Sequence, residues 1–309
     1  MVVASGELLF VKSVKDGIPN RDPLAESDAR RIFDEADGRI SLSDVSIKRD
    51  VRDYVLDRFP EGGADKRHFV FVREERDEKG NLLSRAGLAQ EIRDKVGAAK
   101  ENLREVLPRA AFDVRVFGTV FSVPKEPFHF TGPVQFGWAH SLHPVESRYV
   151  QGTVVMPSGD EKGQGTIWST YIVPFAVFAM PGLINHALAE KTGMADDDVE
   201  LLLEALWKGT QHRQARGRGI QQPLFLLHVE YHDPFFRIGY LEEGIRLLPG
   251  ADAWRQDVKP SQVSEIQLDV TKLGQMLASA KDKISRCRLW VNPELRLVGE
   301  LPAEPGKAW

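Results

Sequence analysis

Val11-Lys12-Ser13-Val14-Lys15-Asp16-Gly17-Ile18-Pro19-Asn20-Arg21-Asp22-Pro23 and Leu42-Ser43-Asp44-Val45-Ser46-Ile47-Lys48-Arg49-Asp50-Val51-Arg52-Asp53-Tyr54-Val55 are the two runs on which the fold turns. The first leaves a strand. Glu7 to Val14 (ELLFVKSV) is mostly apolar and rich in β-branched residues, and Gly17, Pro19 and Asn20 end it with turn chemistry. The second run predicts a helix from about Asp44 to Phe59. Ile47, Val51, Val55 and Phe59 recur at fourfold spacing and form its buried side, and Ser41 or Ser43 can cap it. Lys48 and Arg52, one turn apart, then point elsewhere, with Arg49 beside them. A strand, a turn and a basic helix can hold a nucleic-acid backbone, since Arg forks and Lys point charges both suit phosphate oxygens. The competing reading of the same spacing is a solvated helix face with Asp50 and Asp53 as intrahelical partners.

The chain has 309 residues, enough for one large domain or two small ones. Its 42% hydrophobic and 28% charged residues are ordinary for a soluble globular protein. The longest apolar run, Tyr171 to Ala179, is too short to span a bilayer and is interrupted by Pro174. Met1 to Phe10 has no basic leader, so no secretory signal is expected. A single cysteine, Cys287, excludes an internal disulfide framework and a multi-thiolate metal site, and fits a core thiol in a reducing cytoplasm. The net charge of −4 argues against indiscriminate nucleic-acid binding. The charge is uneven, however. Lys208, Arg213, Arg216 and Arg218 fall in a stretch without an acid, just after Asp196, Asp197, Asp198, Glu200 and Glu204.

Pro60 to Pro108 is charge-rich, broken by Gly62-Gly63 and Gly80-Asn81, and reads as an inserted subdomain with a possible strand (His68 to Arg73) and a possible helix (Leu88 to Val106). Ala111 to Phe121 (AFDVRVFGTVF) alternates as a strand, and Gly132 to Glu146 reads as a short helix or ordered turn. Val150 to Met156 and Thr166 to Ala179 are predicted strands flanking a glycine-rich, charged tip at Pro157 to Gly165. Ile184 to Lys191 and Asp197 to Trp207 predict helices, the second with acids in its first turn. Pro223 to Tyr231 is a strand, a helix starts near Asp269, and Arg286 to Val291 is the final strand. Strands separated by helices with long insertions suit an α+β, ferredoxin-like or RNA-recognition-type core. No Walker loop, zinc finger, G-x-G-x-x-G or G-x-S-x-G occurs.

Three carboxylate and histidine sets merit weighing as chemistry. His228, Glu230 and His232 alternate on a strand with Asp233 next, which could gather a metal but is more often a hydrogen-bonded sheet surface. His140, His143 and Glu146 could do the same if helical. Asp16, Asp22 and Asp44 could hold a divalent ion for phosphodiester cleavage, although aspartates flanking turns commonly bond backbone amides. A metal-dependent nuclease or RNA-processing enzyme is therefore the rival to a binding protein. The basic loop Lys208 to Pro223, with arginines separated by glycines, either approaches a phosphate chain closely or is a loop without a ligand.

The two opening runs resemble the start of the Cas7 family, the repeated backbone subunit of type I CRISPR surveillance complexes (Cascade), and most of all its I-B and I-C branches. Ile18 and Arg21 stand where that pattern has Asn and Gly, and Ser43 where it has Thr. Three further stretches match in the same order: Gly132 to Phe136 with Ser141 to His143 and Val145-Glu146, Asn185 to Met194 with Asp198 to Thr210, and the glycine-rich loop leading to Gln221-Gln222-Pro223. The resemblance implies a non-catalytic protein without cofactor or metal. Its partners would be CRISPR RNA, target DNA through the guide, further copies of itself head to tail, and other Cascade subunits, with no membrane. It implies one RNA-recognition-type palm over residues 1–309, an inserted finger at 60–108 and a thumb hairpin at 150–170. It implies RNA contacts from Asn20, Arg21, Lys48, Arg49, Arg52, Arg213, Arg216, Arg218, Gln221 and Gln222. On the thumb, Met156, Ile167 and Trp168 are the apolar residues that would displace a base.

Overall fold

The computed structural model describes residues 3–25, 28–123, 126–154 and 167–309. The elements run β1 (Gly6–Lys15), β2 (Ser41–Leu42), α1 (Asp44–Arg58), α2 (Arg85–Lys95), α3 (Leu103–Ala110), α4 (Phe112–Phe117), β3 (Gly118–Phe121), β4 (Phe128–Thr131), β5 (Val134–Phe136), β6 (Ala139–Ser141), β7 (Arg148–Thr153) and β8 (Ile167–Ile172). They continue with β9 (Phe175–Ile184), α5 (His186–Thr192), α6 (Asp196–His212), β10 (Ile220–Tyr231), β11 (Arg246–Leu248), β12 (Gln267–Asp269), α7 (Thr271–Ser279), β13 (Ile284–Val291), β14 (Arg296–Val298) and β15 (Glu304–Pro305). The architecture is mixed α+β around one large sheet ordered β15-β13-β10-β1-β9-β6-β2, with β5 also on β9. β1 is central and antiparallel to both β10 and β9.

β1 is buried along its whole length except at Lys15, because both faces of the sheet are covered. Leu8, Phe10 and Val14 point into a cluster with Ile47 and Val51 of α1 and Leu202 and Leu206 of α6. Leu9 and Val11 point the other way, into a cluster with Trp254, Leu268, Leu273 and Leu277 from the C-terminal third. Each fully buried Leu or Phe contributes about 1.5–3 kcal/mol, so the two layers lock the register of β1. Pro223 has no N–H for the ladder, and the β1–β10 register shifts there, between Val11 and Lys12. The resulting bulge lets Leu224 and Phe225 enter the same cluster.

A third cluster holds Phe69, Phe71, Leu88, Ile92, Leu107 and Phe121, so the segment around residues 60–130 has apolar packing of its own. Two buried ion pairs join it to the rest. Asp113 of α4 accepts from Arg52 Nε (2.8 Å) and from the amides of Phe71 and Val72 (2.8 and 3.0 Å). Arg115 grips Asp198 at the start of α6 through Nε and Nη2 (2.9 and 2.6 Å).

Several sequence expectations are corrected here. The predicted strand Ala111 to Phe121 is α4 followed by β3. Its alternation misled because all of Phe112 to Phe117 is buried, and Gly118 (φ +78°) ends the helix. The single helix at Leu88 to Val106 is α2 and α3, separated at Gly97 (φ +69°) and restarted by Asn102, whose side chain caps Arg104 N. His68 to Arg73 makes only an isolated bridge, Phe69 with Ala111. Gly132 to Glu146 is not helical; β5 and β6 extend the sheet on β9. The return strand breaks at Val173-Pro174, so β8 pairs with β7 in a separate ribbon and β9 joins the main sheet.

Candidate nucleic-acid interface

The turn after β1 and the loop after α6 lie backbone against backbone. Ile18 N donates to Gly217 O (2.9 Å). A Cβ on Gly17 would fall 2.1 Å from Gly219 N, and Gly219 itself sits at φ +76°. Only glycines allow this approach. On its other side the turn is tied to the break between β8 and β9, with Asp16 N and Gly17 N bonded to Pro174 O and Val173 O (both 3.1 Å). Three sequence-distant segments and the start of α1 therefore share one rim.

Asp50 organises this rim. It is fully buried and accepts from Lys12 Nζ (2.9 Å), Arg213 Nη1 (3.0 Å) and Arg218 Nη2. Asp53 takes the next position, with Arg49 Nε at 2.5 Å and Arg213 Nε at 3.1 Å. Four cations share two carboxylates, which leaves the rim positive. Burial pushes the Lys12 ammonium down to about 8; Asp50 opposes this and the neighbouring Arg218 and Arg213 reinforce it. Burial likewise lowers the Arg218 guanidinium.

The predicted RNA-contacting residues divide between surface and interior. Arg216 is exposed, its guanidinium 5.2 Å from the centre of the Trp168 ring. Arg49 is half exposed, Lys48 pairs with Asp44 (2.8 Å), and Arg213 is partly buried. Arg52, Arg218 and Gln221 are buried. Arg52 turns to Asp113 and, with Lys48, lies over the Phe117 ring, so the basic helix face is divided rather than continuous. Asn20 Oδ1 accepts from Ser43 N (2.8 Å) and Ser43 Oγ (3.0 Å) at the N-terminus of α1. Arg21 reaches Gly217 O (3.0 Å) and Tyr171 O (3.4 Å), bracing the rim against the β7–β8 ribbon. Gln222 bonds Gln211 (2.8 Å). Sequence reading missed Lys15, exposed at the end of β1 with no ion-pair partner among the described residues, and the buried Lys12–Asp50 pair. Lys15 could have been found, since it ends the strand beside the Asp16-Gly17 turn.

In the β7–β8 ribbon, Trp168 packs flat on Gly152, where a Cβ would come within 2.5 Å of the ring, and Ile167 is 68% exposed. Met156 and the tip from Pro157 to Gly165 lie outside the described residues.

Among the described residues no three His, Cys, Asp or Glu side chains are grouped to hold an ion, although His228 Nδ1 and Glu230 Oε1 lie 3.6 Å apart. Asp16 sits in a turn at φ +58°, Asp22 accepts from Leu24 N (3.0 Å), and Asp44 pairs with Lys48. His228 is buried. Its Nδ1 accepts from Arg288 Nη2 (3.0 Å), and burial followed by the charges of Arg288 and Arg286 holds the imidazole down to about 3. Burial raises the Glu230 carboxyl, His232 lies beyond the end of β10, and Asp233 caps a turn at Phe235 N. His140 bonds Ser41 Oγ, and Glu146 pairs with Lys259 (2.7 Å). His143 stacks on Trp254 with burial holding it near 4. No helix among the described residues is long and apolar enough to cross a membrane.

The geometry defines an α+β protein with a cation-bearing rim beside a two-stranded ribbon. The family profile for CRISPR-associated protein Cas7 matches residues 4–271, and the chain belongs to the Cas7 family. A CRISPR-associated protein Cas7 from Haloferax volcanii is 26% identical, over 98% of this chain and 92% of the relative. Among solved structures, a chain of a CRISPR RNA-guided surveillance complex in a pre-nicking state superposes with a TM-score of 0.56 at 13% identity, covering 96% of this chain and 97% of the other. A second surveillance-complex chain gives 0.51 at 14% identity, covering 96% and 95%. At these identities the superpositions speak for the fold.

Proposed function

We propose that this protein is a non-catalytic CRISPR RNA-binding subunit of a type I Cascade surveillance complex. Copies would polymerise head to tail along the guide and leave its bases free to pair with target DNA. Base pairing would then read sequence while protein holds the backbone, the division of labour of RNA-guided effectors. The observation that carries this reading is the positive rim around Asp50, built from segments whose sequence also places the chain in the Cas7 family.

The palm reading is supported by strand order. β10-β1-β9-β6, with α1 after β1 and α6 between β9 and β10, follows the fourth-first-third-second arrangement of a β-α-β-β-α-β unit. The sheet carries side-chain clusters on both faces, so bases have no open strand surface on which to stack, and RNA is assigned to the rim instead. In this reading Lys15, Arg49, Arg213 and Arg216 meet phosphates, with Lys48 and Gln222 beside them. Arg52, Arg218, Gln221, Asn20 and Arg21 hold the rim in shape. Residues 60–108 are the finger and 150–170 the thumb, with Ile167 and Trp168 as the apolar residues offered to a neighbouring copy's guide.

The test is Lys15→Gln/Arg49→Gln/Arg216→Gln, measured by fluorescence anisotropy on guide RNA over a salt series. The slope of log K against log salt should fall by about two, at roughly 0.7 per single-strand phosphate contact. A folded triple variant with an unchanged slope removes this rim from the interface.

A further inference from the structure

A second positive surface lies at the other end of α6. A groove of about 990 Å³ opens between α3, β4 and the C-terminus of α5. Arg67, Arg104, Arg109 and Lys191 line it, with the paired Arg115 at its floor, against the acids Glu105 and Glu190. The ion-pair accounting is what distinguishes it. Arg115 is committed to Asp198, and Arg109 to Glu101 (2.9 Å). Arg67, Arg104 and Lys191 are exposed and have no carboxylate partner among the described residues. The Arg104 guanidinium lies 5.9 Å from the centre of the Phe130 ring, which also lines the groove. The 17 residues of α6 place this groove about 25 Å from the Arg213 rim, at 1.5 Å per residue.

Three cations without an ion-pair contact, set against only Glu105 and Glu190, leave the open groove with an excess of positive charge. A multivalent anion neutralises that excess and releases its own counterions. We infer that this groove is a second nucleic-acid site, taking the phosphodiester backbone of a strand through Arg67, Arg104 and Lys191. The inference rests on the nucleic-acid-binding function proposed above. Guide RNA and a target DNA strand share the recognised chemistry, and the experiment separates them. A protein acid would be a weaker match, because a carboxylate side chain brings one charge where a strand brings one at every nucleotide.

Arg67→Gln/Arg104→Gln/Lys191→Gln on the full chain alters only exposed side chains, and its thermal unfolding should match wild type. In the first arm, guide RNA is titrated over a salt series. In the second, wild-type and variant proteins already assembled on guide capture a complementary DNA strand. A slope smaller by about two, and binding about 100-fold weaker at 0.1 M salt, is expected in one arm. A change in the first arm assigns the groove to guide, and a change confined to the second assigns it to target. Glu105→Gln should shift the same arm the opposite way. Equal slopes for variant and wild type in both arms overturn the inference. So does a variant defect seen only in protein–protein assembly without nucleic acid. If wild-type protein binds no RNA, the functional reading itself falls; if it binds and the triple variant is indistinguishable from it, only the groove assignment falls.

Discussion

Replacing Asp50 with asparagine tests whether one buried carboxylate holds the rim together. Arg213 and Arg218 both donate to Oδ1, while Lys12 donates to Oδ2. Asparagine can keep an oxygen toward the two arginines, but its amide NH₂ then faces the Lys12 ammonium, donor against donor. Lys12 is 2% exposed and has no other side-chain acceptor among the described residues, so it is left charged and buried without a partner. Breaking a buried pair in this way costs about 3–5 kcal/mol, a large part of the roughly 5–15 kcal/mol that holds a domain folded. Lys12→Met should behave differently. The low Lys12 pKa says that burial outweighs the attraction of Asp50. Exchanging the ammonium for a methionine of similar length should therefore leave stability within about 1 kcal/mol or raise it. In Asp50→Asn/Lys12→Met the orphaned charge is gone, so the double variant should recover about 2 kcal/mol relative to the sum of the singles. Urea unfolding of the four proteins at pH 7 measures this cycle. Asp50→Asn within about 1 kcal/mol of wild type, or additive behaviour, would refute the reasoning.

Arg115→Met should cost about 3–5 kcal/mol in urea unfolding, because it leaves Asp198 buried without its guanidinium partner and unties α4 from α6. The buried histidines set an acid limit. His143 and His228 titrate near 4 and 3 in the folded chain against 6.5 when exposed, so the unfolded chain binds more protons below about pH 6.5. Their contribution is complete above pH 6.5 and is lost as pH falls toward those values, at about 1.4 kcal/mol per pH unit for each. His143→Phe should halve the two-histidine slope between pH 6.5 and 5 in thermal or urea unfolding. Trp168→Ala should leave the monomer's melting unchanged within a few degrees and reduce assembly on guides longer than one subunit covers, read by sizing the particles. Equal particle mass on long RNA would count against the thumb assignment.

The resemblance that led to the Cas7 family was legible because its residues are held by local chemistry. Gly17 and Pro19 must turn the chain, Ile47, Val51 and Val55 must face a core, and Asp196 to Asp198 suit a helix start. Those constraints act within a few residues, so they survive as readable spacing. The same locality explains the failure at Ala111 to Phe121. Between Phe112 and Phe117 every side chain is buried, and a fully buried segment loses the polar face that separates a period of two from one of 3.6.

Which cations are free to meet a ligand could be decided only by the tertiary structure. Lys48, Arg49 and Arg52 look equivalent along α1, yet Arg52 closes on Asp113, 61 residues away. Arg213, Arg216 and Arg218 alternate in one loop, yet Arg218 is buried on Asp50, 168 residues away, while Arg216 stays in solvent. Desolvation makes the difference: a guanidinium withdrawn from water requires a carboxylate at contact distance, and which carboxylate arrives depends on how distant strands and helices pack. Sequence therefore determined the family, the strand–turn–helix opening and the presence of local basic clusters in a chain of net charge −4. Folding determined where those cations are spent on internal pairs, and where, at the Asp50 rim and in the groove between α3, β4 and α5, they remain exposed.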